Sequence, residues 1–211
     1  MKKSILFLLV ISGLLATACS SSEGINNKDL KAIKEARKQS RQMKKEGWNV
    51  APGSLPLEKA LEQSWTMLLE RNDKGSRKYI DADGNAVAES KSAADLQALE
   101  LAKLNMAGQL ETEIAALIEA SVANQQLTRE EAASVTKVVA ASKNMIKNTI
   151  GNVIPVYKAY REIGKDNVEV QLKIFYNFDD AVGTAKQVVR KKLTEETTIL
   201  HDKLDNILDL K

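Results

Sequence analysis

Helices are predicted wherever apolar residues recur every three or four positions along the chain. This spacing gives five helices, at 28–46, 57–71, 93–125, 128–148 and 178–208. Thr128 and Glu131 form a capping box at the start of the fourth helix. The fifth helix would be about 45 Å long at about 1.5 Å per residue, which is longer than a small sheet needs. We therefore expect its end to project or to pack against another helix or chain.

Strands are predicted where apolar and polar residues alternate, or where a tight turn joins two short apolar runs. Alternation gives strands at 153–163 and 168–176, joined by a hairpin loop at 164–167. The segment 77–87 is predicted to be a hairpin with residues 81–85 in its turn, because Asp-Gly favours tight turns. From 168 to 174 the even-numbered residues are apolar and the odd-numbered ones polar. We therefore expect one sheet face to be covered by helices and the other to be wet.

The first nineteen residues have the pattern of a secretory signal that ends in the only cysteine of the chain. Lys2 and Lys3 precede an apolar run at 5–15. This run has the length of a signal-peptide core and is shorter than the roughly 20 residues that span a bilayer. The small residues at 16–18 then lead to Cys19. The cluster resembles the lipobox of bacterial lipoproteins.

The lipobox resemblance implies that Cys19 is lipidated. In that family a diacylglycerol is attached to the cysteine sulfur, the signal is cut immediately before the cysteine, and the new amino terminus is usually acylated. Ala16 stands where the family favours leucine, and Leu15 lies one place earlier. The alternative is an ordinary cleavable signal with an incidental Cys19, but cysteines of secreted proteins normally occur in disulfide pairs.

The residue after the cysteine carries a further implication of the same resemblance. Ser20 follows Cys19, where an aspartate often means retention in the inner membrane of Gram-negative cells. The resemblance therefore implies an outer-membrane anchor, and we favour its periplasmic face over the cell surface.

These patterns divide the chain into four parts. Residues 1–18 are the cleaved signal peptide, 19–27 a short tether rich in Ser, Gly and Asn, 28–47 a basic helix, and 48–211 a single domain. The predicted fold class of that domain is α+β and helix-rich. It should contain a small antiparallel sheet of three to four strands, packed by long helices on one face.

The charge balance argues against a general binder of polyanions. The net charge of +3 includes Lys2 and Lys3, which would leave with the signal, so the remainder has 29 basic and 28 acidic residues. Aromatic residues make up only 4% of the chain, which leaves little scope for stacking on bases or sugars. We therefore expect no nucleic-acid partner. The basic helix is the local exception, and it either lies against phosphate headgroups near the anchor or is a solvated spacer.

No residue pattern typical of catalysis or metal binding stands out. His201 is the only histidine and has no cysteine near it, so a histidine triad or metal site lacks a second member. The sequence DADGN at 81–85 resembles part of a calcium loop, but its glycine is at the fourth place rather than the sixth. Trp65 is predicted to be a core residue. We expect no enzyme, cofactor or metal, and carboxylate-based hydrolysis is the remaining enzymatic alternative.

Two segments resemble a second family. These are 93–110, AADLQALELAKLNMAGQL, and 153–177, VIPVYKAYREIGKDNVEVQLKIFYN. The order of the predicted helices and strands from residue 78 onward looks like that of the twenty-kilodalton lipoprotein family of bacterial envelopes. The resemblance implies a small α+β fold related to the amino-terminal domain of TolB and to the lipoprotein activators of penicillin-binding proteins, with no catalytic residues. It does not account for the basic helix or for 128–148.

The predicted function is that of a non-enzymatic envelope lipoprotein with a protein-interaction or structural role. It would be held at the membrane by the lipid on Cys19. It would contact an envelope protein through the wet sheet face or the end of the last helix, which could also join copies into an oligomer. The alternative is a membrane-held module that binds a small ligand or a glycan. A pocket of a few hundred cubic ångströms with converging polar groups would favour that alternative.

Overall fold

The computed structural model describes residues 27–196. Within this range the elements follow in the order α1 (Asn27–Lys45), α2 (Leu57–Leu69), β1 (Tyr79–Ala88), α3 (Lys91–Ala123), α4 (Arg129–Thr149), β2 (Ile154–Ile163), β3 (Asn167–Asn177) and α5 (Phe178–Glu196). The strands form one antiparallel sheet in the order β1-β3-β2. The predicted α+β, helix-rich class is confirmed. None of the helices in 27–196 is long and apolar enough to cross a membrane.

The long helices α3 and α5 lie on one face of the sheet and build the main hydrophobic core with it. On β3 the apolar even-numbered residues of the predicted alternation point into this core, as Val170, Leu172 and Ile174 show. The largest of the fully buried side chains around them are Ile80, Met106, Leu110, Ile114, Ile118, Ile146, Ile150 and Leu193. One sheet face is therefore covered by helices, as the alternation predicts.

Helix α4 packs against α3 and α5, on the side of these helices away from the sheet strands. Its predicted capping box is present. The Thr128 amide donates to Glu131 Oε2 at 2.9 Å, and the Glu131 amide donates to Thr128 Oγ1 at 3.2 Å. These two bonds satisfy amide groups that have no partner inside the helix, so the sequence defines where α4 begins.

Residues 79–88 form one continuous strand, so the predicted hairpin at 77–87 is wrong. β1 pairs with β3 over its whole length, and Gly84 lies opposite Leu172 within the ladder. A Cβ atom on Gly84 would lie 1.9 Å from the carbonyl oxygen of Ala98. Only glycine therefore lets the backbone of α3 approach the strand this closely. The Asp-Gly pair at this place marks a helix–strand contact and not a turn.

Helices α1 and α2 cover part of the sheet face that was expected to be wet. Tyr157 and Ala159 of β2 are buried there in a cluster with Ala36 of α1 and Leu61 of α2. Phe175 of β3 is buried against α2 on the same face. The expectation of a wet face is therefore wrong for the half nearest β2, where apolar side chains on both helices supply the cover.

Both edges of the sheet have hydrogen-bond partners outside the strands. Along β1, the side-chain amides of Asn105 and Gln109 on α3 donate to the carbonyl oxygens of Asp83 and Asp81 at 2.8 and 2.7 Å. Along β2, Asn49 in the loop after α1 exchanges two backbone hydrogen bonds of 2.8 Å with the strand. These contacts occupy groups that would otherwise be open to pairing with another strand.

The contact at Gly84 yields a prediction for stability. Gly84→Ala should lower the free energy of unfolding by about 3 kcal/mol, because the new methyl group meets backbone that cannot move without displacing α3. Gly183→Ala is the matched control, since Gly183 lies inside α5 and a Cβ there meets nothing within 4 Å. That control should stabilise by up to about 1 kcal/mol. Urea unfolding measures both, and equal stability of Gly84→Ala and the unmodified protein would contradict the contact.

Candidate functional site

The second sheet face also carries a set of mostly polar side chains, which we call the polar sheet face. Directly opposed residues of neighbouring strands point to the same side, and this register brings the set together. It consists of Asp81, Asp83, Asn85 and Val87 of β1, Arg161 of β2, and Glu169, Gln171 and Lys173 of β3. Exposure is high on β1, where Val87 is 49% exposed, and low on β3, where Glu169 is 7% exposed.

Lys173 is the centre of one charge cluster on this face. Its Nζ donates to Asp81 Oδ2 at 2.8 Å and to Asp83 Oδ2 at 3.0 Å. Burial alone would lower the pKa of the Lys173 ammonium group, but the hydrogen bonds and negative charges of the two aspartates outweigh it and raise that pKa. Lys173 therefore stays a cation at neutral pH, shared between two carboxylates.

Tyr157 lies next to Lys173 on the neighbouring strand and extends the same row towards β2. Its side chain is almost completely buried. Burial, and then the negative charge of Asp83, raise the pKa of the Tyr157 phenol well above its ordinary value. The row across the sheet thus runs from an exposed carboxylate through a paired ammonium group to a buried, neutral phenol.

Glu169 is the centre of the second charge cluster. It accepts a hydrogen bond from Asn85 Nδ2 at 2.8 Å and one from Arg161 Nε at 2.5 Å. The guanidinium carbon of Arg161 also lies 4.6 Å from the ring centre of Trp48, in a cation–π arrangement. A buried carboxylate is costly unless it is paired and hydrogen-bonded, and here both conditions are met. The cluster holds the end of the sheet to the loop after α1.

The charged groups of these two clusters are held in place by hydrogen bonds to one another, and they are not arranged for catalysis or metal binding. A lysine that acts as a nucleophile needs a lowered pKa, and that of Lys173 is raised. The DADGN sequence at 81–85 lies in a strand, and its two aspartates hold an ammonium group where a calcium loop would hold a cation. Across residues 27–196, no group of three or more metal-ligating side chains is suited to hold a metal ion.

A groove of about 490 Å³ lies between α2 and the start of the strands. Its walls include Tyr79, Ile154 and polar residues of α2. These polar groups bond to their neighbours, since Glu70 pairs with Lys78 at 2.9 Å and Glu62 pairs with Lys59 at 2.8 Å. The groove has the size of a ligand site, but these paired groups do not converge on a common point in the way that a small ligand requires.

Of the individual residues considered in the sequence analysis, Trp65 lies within the described range, and Cys19 and His201 do not. Trp65 is half-buried beside the cluster formed by α1, α2 and β2, and its Nε1 donates to Gln39 Oε1 at 3.2 Å, so it packs as predicted. Cys19 and His201 lie outside the described residues. The same applies to residues 197–208 of the predicted fifth helix.

Comparisons with protein-family models, with curated proteins and with solved structures found no match.

The polar sheet face was only half visible in the sequence. The alternation in β3 placed Glu169, Gln171 and Lys173 on one side of a strand, as the structure has them. The turn predicted at 81–85 takes their partners Asp81 and Asp83 out of the sheet, although their spacing of two residues also suits one face of a strand. In the β1–β3 register Asp83 lies directly opposite Lys173, and Asp81 lies diagonally to it, opposite Phe175.

The ionisable groups of this face predict how stability depends on pH. The raised pKa of Lys173 contributes stability that is complete below its unfolded value of 10.5 and is lost as the pH rises through the folded value. Tyr157 acts in the same direction, because above its unfolded value of 10.0 only the unfolded chain releases the phenol proton. The free energy of unfolding should fall above pH 10, by at most about 1.4 kcal/mol per pH unit for each group.

Tyr157→Phe tests the phenol's part in this fall. The variant keeps the buried ring and removes the ionisable group, so its stability should decline less steeply above pH 10. Denaturant unfolding at a series of pH values measures the slope for both proteins. Identical slopes would show that Tyr157 does not carry the effect.

Proposed function

We propose that this chain is a lipid-anchored lipoprotein of the bacterial outer membrane that acts by protein contact and not by catalysis. The observation that carries the proposal is the series of Lys2 and Lys3, the apolar run 5–15, and the small residues before Cys19. A lipid on Cys19 with two or three acyl chains would hold the protein firmly, because one chain alone gives only marginal attachment. The folded part would face the periplasm.

The start of the fold supports this arrangement. Seven residues, 20–26, separate Cys19 from the first residue of α1. Even fully extended, the chain from Cys19 to Asn27 reaches no more than about 29 Å. The folded unit would therefore stay close to the membrane that holds the lipid, and its surfaces would be offered to neighbours at that membrane.

The polar sheet face is the surface we assign to the protein partner. Its charges of both signs are held in place by Lys173 and Glu169, so a partner with complementary charges would meet a preformed pattern. Val87 adds an exposed apolar side chain at the end of this face, next to Glu169. An apolar contact surrounded by polar groups is typical of protein interfaces. Association of copies through the end of the last helix stays a proposal, since residues after 196 lie outside the described range.

The second candidate function is the binding of a small ligand or glycan at the membrane. The groove between α2 and the strands favours it by its volume of about 490 Å³. The pairing of Glu62 and Glu70 with lysines argues for the protein-contact function, because a ligand would have to displace these ion pairs to use the carboxylates.

The anchor is tested by Cys19→Ala. The variant should incorporate no labelled fatty acid and should leave the membrane fraction, because the thiol that accepts the diacylglycerol is gone. Ser20→Ala is the matched control and should keep both the label and the membrane location. Metabolic labelling of cells that produce the full chain measures the effect. Full labelling of Cys19→Ala would refute the anchor.

The contact surface is tested by photocrosslinking in intact cells. A photoreactive phenylalanine derivative in place of Val87 should give a discrete crosslinked protein, because that side chain is exposed at the end of the polar sheet face. The same derivative in place of Lys137, on the exposed side of α4, is the control and should give none. A lipidated protein without any crosslink at position 87 would contradict the polar sheet face as the contact surface and would favour the groove.

A further inference from the structure

The outer side of α1 carries a row of five basic residues, which we call the basic strip. It consists of Lys31, Lys34, Lys38, Arg41 and Lys45. Their spacing of three and four residues places all five within an arc of about 80°, because successive residues of an α-helix are about 100° apart. The strip is about 21 Å long at about 1.5 Å per residue.

The opposite side of α1 is the side that packs on the protein. Ala32, Ala36, Ser40 and Met43 are buried, and α1 packs on α2. At 100° per residue their directions centre about 180° from the basic strip. The strip therefore points straight away from the folded unit, and all five of its side chains belong to exposed residues.

The charges of the strip have no salt-bridge partner among residues 27–196, whereas several other cations of the protein do. Within residues 27–196, none of its five side chains forms a salt bridge, and no acidic residue of α1 lies within the arc. Elsewhere, Lys78, Lys147 and Lys158 each hold a carboxylate at 2.7 to 2.9 Å. Unpaired like charges in a row repel one another, so a surface of opposite charge would stabilise the strip.

We propose that the basic strip lies on the anionic phospholipid headgroups of the leaflet that holds the lipid anchor. This inference rests on the proposed function for its location, since only seven residues separate Cys19 from the start of α1. A flat surface of phosphates suits a straight row of cations about 21 Å long better than a single bound phosphate does. Leu30 is 49% exposed in the first turns of α1 and would enter the interface beside the headgroups.

The strip would set the orientation of the protein on the membrane. The lipid fixes one point, and a protein held at one point can turn freely about its tether. A second contact along α1 would keep the helix parallel to the membrane surface.

The test uses the full chain as cells make it, purified and mixed with vesicles of phosphatidylcholine, or of phosphatidylcholine and phosphatidylglycerol. Acetylation of individual lysines, read by mass spectrometry, reports which side chains are covered. Lys31, Lys34, Lys38 and Lys45 should be protected only on the anionic vesicles, and high salt should remove the protection. Lys137 and Lys165 are exposed elsewhere and should react equally in all samples.

Two matched triple variants distinguish an effect of the basic strip from an effect of net charge on vesicle binding. The triple variant Lys34→Gln, Lys38→Gln and Arg41→Gln should expose Lys31 and Lys45 again. At roughly 5-fold per removed charge, the attachment of the strip weakens about 100-fold. The control triple variant Lys74→Gln, Lys137→Gln and Lys165→Gln changes the net charge equally and should keep the protection.

Two outcomes would overturn the inference. Equal acetylation of the strip on both kinds of vesicle, without protection, would mean that the strip stays in solvent. Equal protection on both kinds would mean that something other than anionic headgroups covers it.

The anchor has its own readout in the same samples. Partition of the chain into phosphatidylcholine vesicles reports the lipid on Cys19 and does not depend on the strip. A chain that partitions but shows no protection on anionic vesicles keeps the proposed function and loses this inference. A chain that does not partition into phosphatidylcholine vesicles, yet is protected on anionic vesicles, keeps this inference and loses the proposed lipid anchor.

Discussion

The close approach of α3 to β1 at Gly84 is the constraint on which the rest of the fold depends. With the carbonyl of Ala98 occupying the place of a side chain, α3 lies directly on the strand. The amides of Asn105 and Gln109 can then reach the carbonyl oxygens along the open edge of β1. The same helix carries the fully buried residues from Met106 to Ile118 that join the sheet to α4 and α5. The absence of a Cβ atom at Gly84 thus lets α3 lie close to the sheet. It also lets side chains of α3 hydrogen-bond to the edge of β1.

The charged residues of the folded unit belong to two different physical situations. On the polar sheet face, Lys173 and Glu169 are held by neighbours, so their cost of burial is offset and their positions are fixed. On the outer side of α1, a row of exposed cations has no carboxylate partner among the described residues. The first arrangement suits recognition of another preformed surface, while the second suits attraction to an extended anionic one.

Local patterns predicted those elements whose signals do not depend on distant residues. The capping box at Thr128, the alternation in β3 and the wide apolar arcs of the helices were each correct, because each reports on neighbours in the same segment. Asp83-Gly84 misled for the opposite reason. A glycine that permits a turn and a glycine that admits another backbone look the same in sequence, and only the position of Ala98 distinguishes them. The cover of the second face by α1 and α2 likewise depends on residues more than a hundred positions apart, such as Ala36 and Tyr157, which are buried in one cluster.

The sequence by itself determined the fold class, the helix and strand periodicities, the excess of cations in α1, and the signal-like segment that ends at Cys19. Tertiary structure decided which of these features meet. It brought Asp81 and Asp83 within hydrogen-bond distance of Lys173 Nζ, and it turned the apolar residues of α1 inward so that its cations point away from the folded unit. The physical reason is that burial and pairing are properties of neighbours in space. The spacing of Asp81 and Asp83 does not show in the sequence that the two carboxylates share a partner. They share one because β3 pairs with β1 and places the ammonium group of Lys173 between them.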